Sequence, residues 1–235
     1  MILLGHYSYR ARFQPVLLVL LPLALGVFVW TWPNTKWESG LWTIFITSGV
    51  AYFSAIFARN LGKKTERKLW ESWGGAPTTQ LLRYSGSLNP ILRQRWHNKL
   101  SQILERTFPT KQNEDDNPKE ADKLYESAVT LLRIKTRDIK KFNLIYSENA
   151  SYGFCRNLVA MRTIGICTAL LGVALTASAG IWFYMHNKAV SPYMAVCLGV
   201  NISSLFLWVL VIKPSWVKTS AFAYARRLLE AIEEI

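Results

Sequence analysis

Hydrophobic positions in this chain are concentrated rather than spread. Four runs, Gln14 to Trp32, Leu41 to Ala58, Thr163 to Tyr184 and Pro192 to Ile212, contain no Lys, Arg, Asp or Glu. Each reaches about 18 residues or more, which at about 1.5 Å of rise per residue crosses a hydrocarbon core. The helix of a soluble domain rarely sustains that length without a charge, because one of its faces meets water. The runs predict four transmembrane helices. The first lies behind Arg10 and Arg12, where a cleaved signal would also lie. The residues after it, Thr31, Trp32, Pro33 and Asn34, offer no small-x-small cleavage pattern, and a second spanning run follows closely. A retained helix is expected.

Between the second and third runs the pattern turns polar and helical, with punctuation. Residues Asn60 to Ser72 alternate basic and apolar positions and should carry the second span out of the membrane as one long helix. The stretch WGGAPTT (73–79) breaks it, since paired glycines and a proline do not continue a helix. Thr78 or Thr79 is placed to N-cap a short helix through Leu81, Leu82 and Tyr84. After a second break at 85–90, Ile91, Leu92, Trp96, Leu100, Ile103 and Leu104 share one face of a helix over Ile91 to Phe108. The acidic, proline-bounded segment 109–118 reads as a mobile loop. Lys119 to Thr136 is helical again, with Leu124, Ala128, Leu131 and Leu132 together, and Asp138 to Ser147 continues it after a bend. No stretch alternates at period two long enough for a sheet. Trp216 to Ile235 forms an amphipathic tail whose Arg226 and Arg227 precede Glu230, Glu233 and Glu234, a pattern suited to i, i+4 pairing or to packing on the insert.

These elements define an all-α membrane protein, two transmembrane helical hairpins with a helical cytoplasmic insert between them. Its parts are 1–58 (N-terminal segment and first hairpin), 59–162 (basic helical insert), 163–212 (second hairpin) and 213–235 (tail). Charge sets the orientation. Segments 1–13, 59–162 and 213–235 hold two, twenty and four Lys and Arg, while the connectors 33–40 and 185–191 hold only Lys36 and Lys188. Basic residues stay on the cytoplasmic side during insertion, so both termini and the insert should face the cytoplasm. Trp30, Trp32, Trp37 and Trp42 around the first outer connector, with Trp182 and Tyr184 at the second, match interfacial aromatic belts.

Composition removes several chemistries. Cys155, Cys167 and Cys197 have no metal-ligand spacing, and His6, His97 and His186 are far apart. No Ser–His–Asp set or purposeful carboxylate pair appears, and Glu114, Asp115 and Asp116 fall in the acidic segment, where solvation is expected. The chain is not expected to be an enzyme or to need a cofactor. The spans carry no ionisable group, which argues against a proton- or ion-coupled transporter and permits a channel. Asn201, Ser203 and Ser204 in the fourth span, with Thr168, Thr176 and Ser178 in the third, either line a polar path or bond helix to helix. Gly172, Ala174, Ala177, Ala179 and Gly180 permit close helix packing.

The insert holds 20 basic and 11 acidic residues, a net of +9. Two readings stand. Inner loops are basic because insertion favours it, with anionic lipid headgroups as partner. Alternatively the cations far from the spans, Arg83, Arg93, Arg95, Arg133, Lys135 and Arg137, draw in a soluble polyanion such as a nucleotide or nucleic acid. The glycine turn before Thr78, Thr79 and Arg83 can cradle a phosphate at a helix N-terminus, or can be a plain bend; it lacks the P-loop spacing. At the entrance to the third span, the sequence turns sharply at Gly153. Tyr152, Phe154, Arg156 and Arg162 suit a headgroup anchor. Lipid does not require Glu148, Asn149 and Asn157, which fit a hydrogen-bonded junction coupling insert to spans.

Three stretches, LWESWGGAPTTQLLR (69–83), RWH (95–97) and ENASYGFCRNL (148–158), together resemble a family of bacterial four-span membrane effectors of antiphage defence operons, of the Hailong type. The likeness covers nearly the whole chain. Cys155 departs from it, standing where the family motif has the first of two arginines, which puts in doubt any role needing adjacent guanidinium groups. The resemblance implies a membrane effector whose spans form an ion channel. Four spans without ionisable groups do not suit a pore within one chain, so an oligomer, a tetramer for instance, is expected. The resemblance also implies a nucleotidyltransferase partner that makes the controlling nucleic-acid signal. On that expectation the signal meets Thr78, Thr79, Arg83, Arg93, Arg95 and Arg156, with Trp96 stacking on a base. Glu148, Asn149, Tyr152, Gly153, Phe154 and Asn157 then couple the bound state to the third span. The rival expectation is a non-conducting scaffold that recruits a cytoplasmic partner.

Overall fold

The computed structural model describes residues 7–31 and 37–235, and for 37–53 the backbone alone. Every regular element among the described residues is helical: α1 (Tyr9–Thr31), α2 (Trp37–Trp73), α3 (Pro77–Leu82), α4 (Pro90–Leu104), α5 (Lys111–Asp116), α6 (Pro118–Lys135), α7 (Asn143–Ala160), α8 (Arg162–Met185), α9 (Pro192–Val211) and α10 (Pro214–Glu230), then a 3-10 turn, Ala231–Glu234. Three of them, α1, α8 and α9, are long and apolar enough to cross a membrane. The second predicted span lies within α2, but its side chains to residue 53 are outside the described residues. So are His6, Trp32 and Lys36, and the side chains of Trp37 and Trp42. The chain forms two compact units. One, here the apolar unit, comprises Ile2–Thr65 and Gly153–Trp216; the other, the polar unit, comprises Glu66–Tyr152 and Val217–Ile235.

In the apolar unit α1 packs along α8, and the sequence permits the approach at a few small residues. A methyl group at Gly172 of α8 would overlap the Pro22 carbonyl of α1, and one at Gly26 would come within 2.9 Å of the Leu175 Cβ. Pro22 lies inside α1, where it removes one helical donor. Close by, the Thr168 hydroxyl donates to the Val19 carbonyl at 2.7 Å, joining the two helices. The indole of Trp208 lies against Gly165. α9 ends in a π-helical turn, Leu207–Val211, and Arg162 donates to the Trp208 and Val209 carbonyls there at 3.0 and 2.7 Å. Outward faces carry Leu17, Leu21, Leu170, Leu171, Ile181, Phe206 and Leu210 in exposed positions, the lipid-compatible surface such helices need.

In the polar unit, Leu82, Trp96, Leu100, Phe108, Tyr125, Leu132, Phe142, Ile145, Leu228, Leu229 and Ile232 form one apolar core, so the C-terminal segment packs with the residues of the insert. Local chemistry sets the helix starts. The Asn89 side chain accepts from the Ile91 amide at 2.9 Å and Pro90 occupies the first turn of α4; Thr110 caps α5.

Four expectations need correcting. Thr78 and Thr79 do not cap α3: its N-cap is Ala76 with Pro77 next, and both threonines are buried inside the helix. Segment 109–118 is not a loop but contains α5, whose Glu114 is buried. Ile91 does not join the core face of α4, since it is 82% exposed. Gly153 does not turn the chain; α7 runs straight through it, because at 2.9 Å from the Ala11 Cβ its missing side chain serves a close helix approach instead.

The Pro22–Gly172 contact should therefore be intolerant of bulk. Gly172→Val is expected to cost about 1–3 kcal/mol through overpacking, read as a lowered SDS-denaturation midpoint of the purified protein, whereas the exposed Leu171→Val should shift it little.

Candidate ligand site

The glycine turn after α2 is real and strongly shaped. Gly74 and Gly75 have φ of 84° and 130°, and the Gly75 amide closes the helix on the Trp70 carbonyl at 2.8 Å. Arg83 lies beside it. Its Nη1 donates to the Gly74 carbonyl at 2.7 Å, while Nε and Nη2 donate to the two oxygens of Asp122 at 2.8 and 2.6 Å. This bidentate pair raises the Arg83 pKa further above its already high value. The guanidinium that the sequence offers to a phosphate is thus matched by a carboxylate of α6.

Arg93 is also engaged. It is buried, donates to the Arg83 carbonyl at 3.3 Å and lies with Cζ 5.0 Å from the centre of the Tyr84 ring. Beneath it runs a polar core. Glu114 accepts from the Tyr84 amide at 2.9 Å and from the Tyr125 hydroxyl at 2.6 Å. Burial first, and the bond to Glu114 second, push the Tyr125 hydroxyl pKa far up, so it remains a donor. His97 packs among Tyr84, Phe108 and Tyr125. Its Nε2 must carry the proton, since it faces the Leu82 carbonyl at 2.8 Å, and its buried Nδ1 has no partner. Thr79 Oγ1 is likewise buried and unpartnered.

A second cation set, also on α4, meets Glu233 of the C-terminal turn. Arg95 Nη2 and Lys99 Nζ each approach Glu233 Oε2 at 2.6 Å, and Trp96 Nε1 donates to Oε1 at 3.2 Å. Lys99 contributes most to holding the Glu233 carboxyl below its usual pKa, against a smaller opposing effect of burial; Arg95 adds to it. Trp96 is 1% exposed, so its ring is closed to a stacking base and only its N–H reaches the surface group.

The structure brings Thr78, Thr79, Arg83 and Arg93 to one region of the polar unit, with Arg95 and Trp96 on the facing carboxylate of Glu233. Arg156 belongs to the apolar unit, where its Nε lies 3.4 Å from Asn157 Oδ1. Asn157 is fully buried and donates to the Ala11 carbonyl at 2.7 Å, and a methyl group at Gly62 of α2 would overlap its oxygen. Of the other residues expected to couple, Phe154 packs with the apolar unit's core. Tyr152 belongs to the polar unit, donating to Glu66 at 2.8 Å and stacking on Tyr224; Glu148 and Asn149 are half-buried there. Among the polar residues of the spans, Thr168, Thr176 and Asn201 are buried and bonded within the chain. Asn201 donates to Thr176 Oγ1 at 3.0 Å, and Thr176 to the Gly172 carbonyl at 2.8 Å. Ser203 is exposed and Ser204 half-buried.

Sequence reasoning missed Asp122 and Glu114 in the acidic half of this arrangement, while Glu233 packs on the insert, one of the two roles its pattern offered. Each sits far along the chain from its partner, beyond any helical spacing rule. Among the described residues no three His, Cys, Asp or Glu side chains gather to hold a metal ion. Compared with protein-family models, curated proteins and solved structures, the chain has no match.

The buried imidazole makes one pH dependence definite. Desolvation lowers the His97 pKa, outweighing the bond to Leu82, so in the window below about 6.5 the unfolded chain binds the proton that the folded chain refuses. Stability of the polar unit should fall as pH drops through that window. His97→Gln should flatten this part of a denaturation-midpoint profile, at some cost at neutral pH.

Proposed function

We propose that the chain is an oligomeric effector of the bacterial inner membrane, with both termini cytoplasmic, whose spans open an ion path. Its basic helical unit answers a nucleotide or oligonucleotide signal. The observation that carries this reading is the division of the chain. Three helices apolar enough to cross a membrane, with lipid-compatible faces, lie in one unit, and fifteen of the insert's twenty Lys and Arg, Arg83, Arg93 and Arg95 among them, lie in the other. The resemblance of WGGAPTT and ENASYGFCRNL to membrane effectors of antiphage defence supplies the biological setting and implies a nucleotidyltransferase that makes the signal. The spans carry no ionisable group, and among the described residues Thr168, Thr176 and Asn201 are buried and bonded within the chain rather than lining a polar lumen. A path therefore forms between copies, and a tetramer is the assembly we favour.

The same internal bonding favours a second reading, a non-conducting scaffold that recruits a cytoplasmic partner through the polar unit. In that case Asn201, Thr176 and Thr168 serve helix packing alone.

Membrane potential separates the two. With a voltage-sensitive dye, cells carrying the chain and its neighbouring genes should depolarise on phage challenge, and Arg95→Ala should weaken that response by severalfold while the protein remains in the membrane fraction. Arg95 is the better choice than Arg83, whose loss also strips Asp122 and Gly74 of their donor. A steady potential with a co-purifying cytoplasmic partner would replace the channel with the scaffold.

A further inference from the structure

We infer that Arg95, Trp96 and Lys99 form a phosphate-binding site that the chain's own Glu233 occupies, and that a nucleotide phosphate enters by displacing that one side chain. The inference rests on the sensor reading given above, and adds to it where the ligand binds and what it competes with.

Three donors spaced i, i+1 and i+4 on α4 converge on one carboxylate, with two cations on the same oxygen. One carboxylate neutralises only one of them. A phosphate monoester carries close to two negative charges and three acceptor oxygens, and so matches both the charge and the number of donors better than Glu233 does. The contrast with Arg83 is instructive. There one cation meets one carboxylate in a bidentate pair, with a backbone carbonyl taking a further donor, and nothing is left over.

The site is also reachable. The Arg95, Lys99 and Glu233 side chains are 62%, 36% and 30% exposed. Ile232 and Ala231 are buried in the core and anchor the backbone of the C-terminal turn, so the Glu233 side chain can rotate away without unfolding anything. Ion pairs this open to water hold weakly. The two cations also line a groove of about 620 Å³ with Pro90, Ile91, Gln94 and Asn98. Gln94 Nε2 and Asn98 Oδ1 bond each other at 3.0 Å and present amide groups, and Ile91 offers apolar surface left outside the core. A phosphate at Arg95 and Lys99 would leave a sugar and base over this amide and apolar floor. Glu233 then acts as a built-in competitor that sets the ligand concentration at which the unit responds.

The test uses the full chain in detergent micelles and a fluorescein-labelled, 5′-phosphorylated tetrathymidylate, with binding read by anisotropy. Glu233→Gln keeps an acceptor for Trp96 but removes the competing charge, and should tighten binding about fivefold, the scale of one weak ion-pair set. Glu234→Gln changes net charge equally and should leave the affinity unchanged. Adding Arg95→Gln and Lys99→Gln to Glu233→Gln should abolish the gain. If the probe binds but Glu233→Gln and Glu234→Gln tighten it alike, or neither does, the displacement is wrong while the sensor reading stands. If no form of the protein binds the probe, both fall.

Discussion

Hydrocarbon offers no hydrogen bonds, and the packing of α1 against α8 follows from that. Pro22 takes a donor out of the middle of α1, which in water a solvent molecule would replace. Here the neighbouring helix comes close instead. Gly172 lets α8 reach the Pro22 backbone, and Thr168, one turn before it, donates to the Val19 carbonyl, next in sequence to the Leu18 carbonyl whose helical donor the proline removes. The same demand recurs at the end of α9, where a π-helical turn is met by Arg162 donating to two of its carbonyls. Small residues and a few donors do here what an apolar core does in water, because apolar surface gains nothing from leaving lipid.

The polar unit solves the opposite problem. Its core is apolar, but Glu114, His97, Arg93 and Thr79 are buried in or beside it. Each carboxylate or guanidinium there has partners of fixed geometry, and the ring nitrogen of His97 that faces no partner is kept bare by a lowered pKa. This network ties α3 to α4, α5 and α6, and it explains why an acidic segment bounded by prolines is folded. Glu114 is drawn inward by the Tyr84 amide and the Tyr125 hydroxyl, and α5 forms around it.

Much of this fold was legible in the sequence. Charge-free runs, the glycine break at Gly74 and Gly75, and the apolar spacing of Trp96 and Leu100 or of Ala128 and Leu132 depend on neighbours within a few residues. What stayed hidden depends on tertiary partners. Nothing local distinguishes Glu114 from Asp115 and Asp116, yet only Glu114 is buried in this run. Nothing local says that Gly153 lies against Ala11 in a continuous helix, since a glycine between aromatics reads equally well as a turn. Trp96 shows the limit most sharply: its periodicity placed it on the core face, and the same periodicity should have ruled out stacking on a base.

An excess of cations is therefore a different thing from a set of available cations. The net charge of +13 creates a field that draws anions to the protein whatever its side chains are doing, but short-range recognition needs donors that can change partners. Arg83 and Arg93 are committed, one to a bidentate carboxylate and a glycine carbonyl, the other to a carbonyl and an aromatic face. Breaking either exposes a buried or matched group, so an incoming phosphate would have to supply more than it displaces. Arg95 and Lys99 are committed only to one shared, half-open carboxylate. On physical grounds this is where exchange costs least. On the displacement proposed above, the affinity of the polar unit for a phosphate would be a difference between two anions competing for the same donors, and its selectivity would lie in how well the rest of the ligand fits the surface of α4.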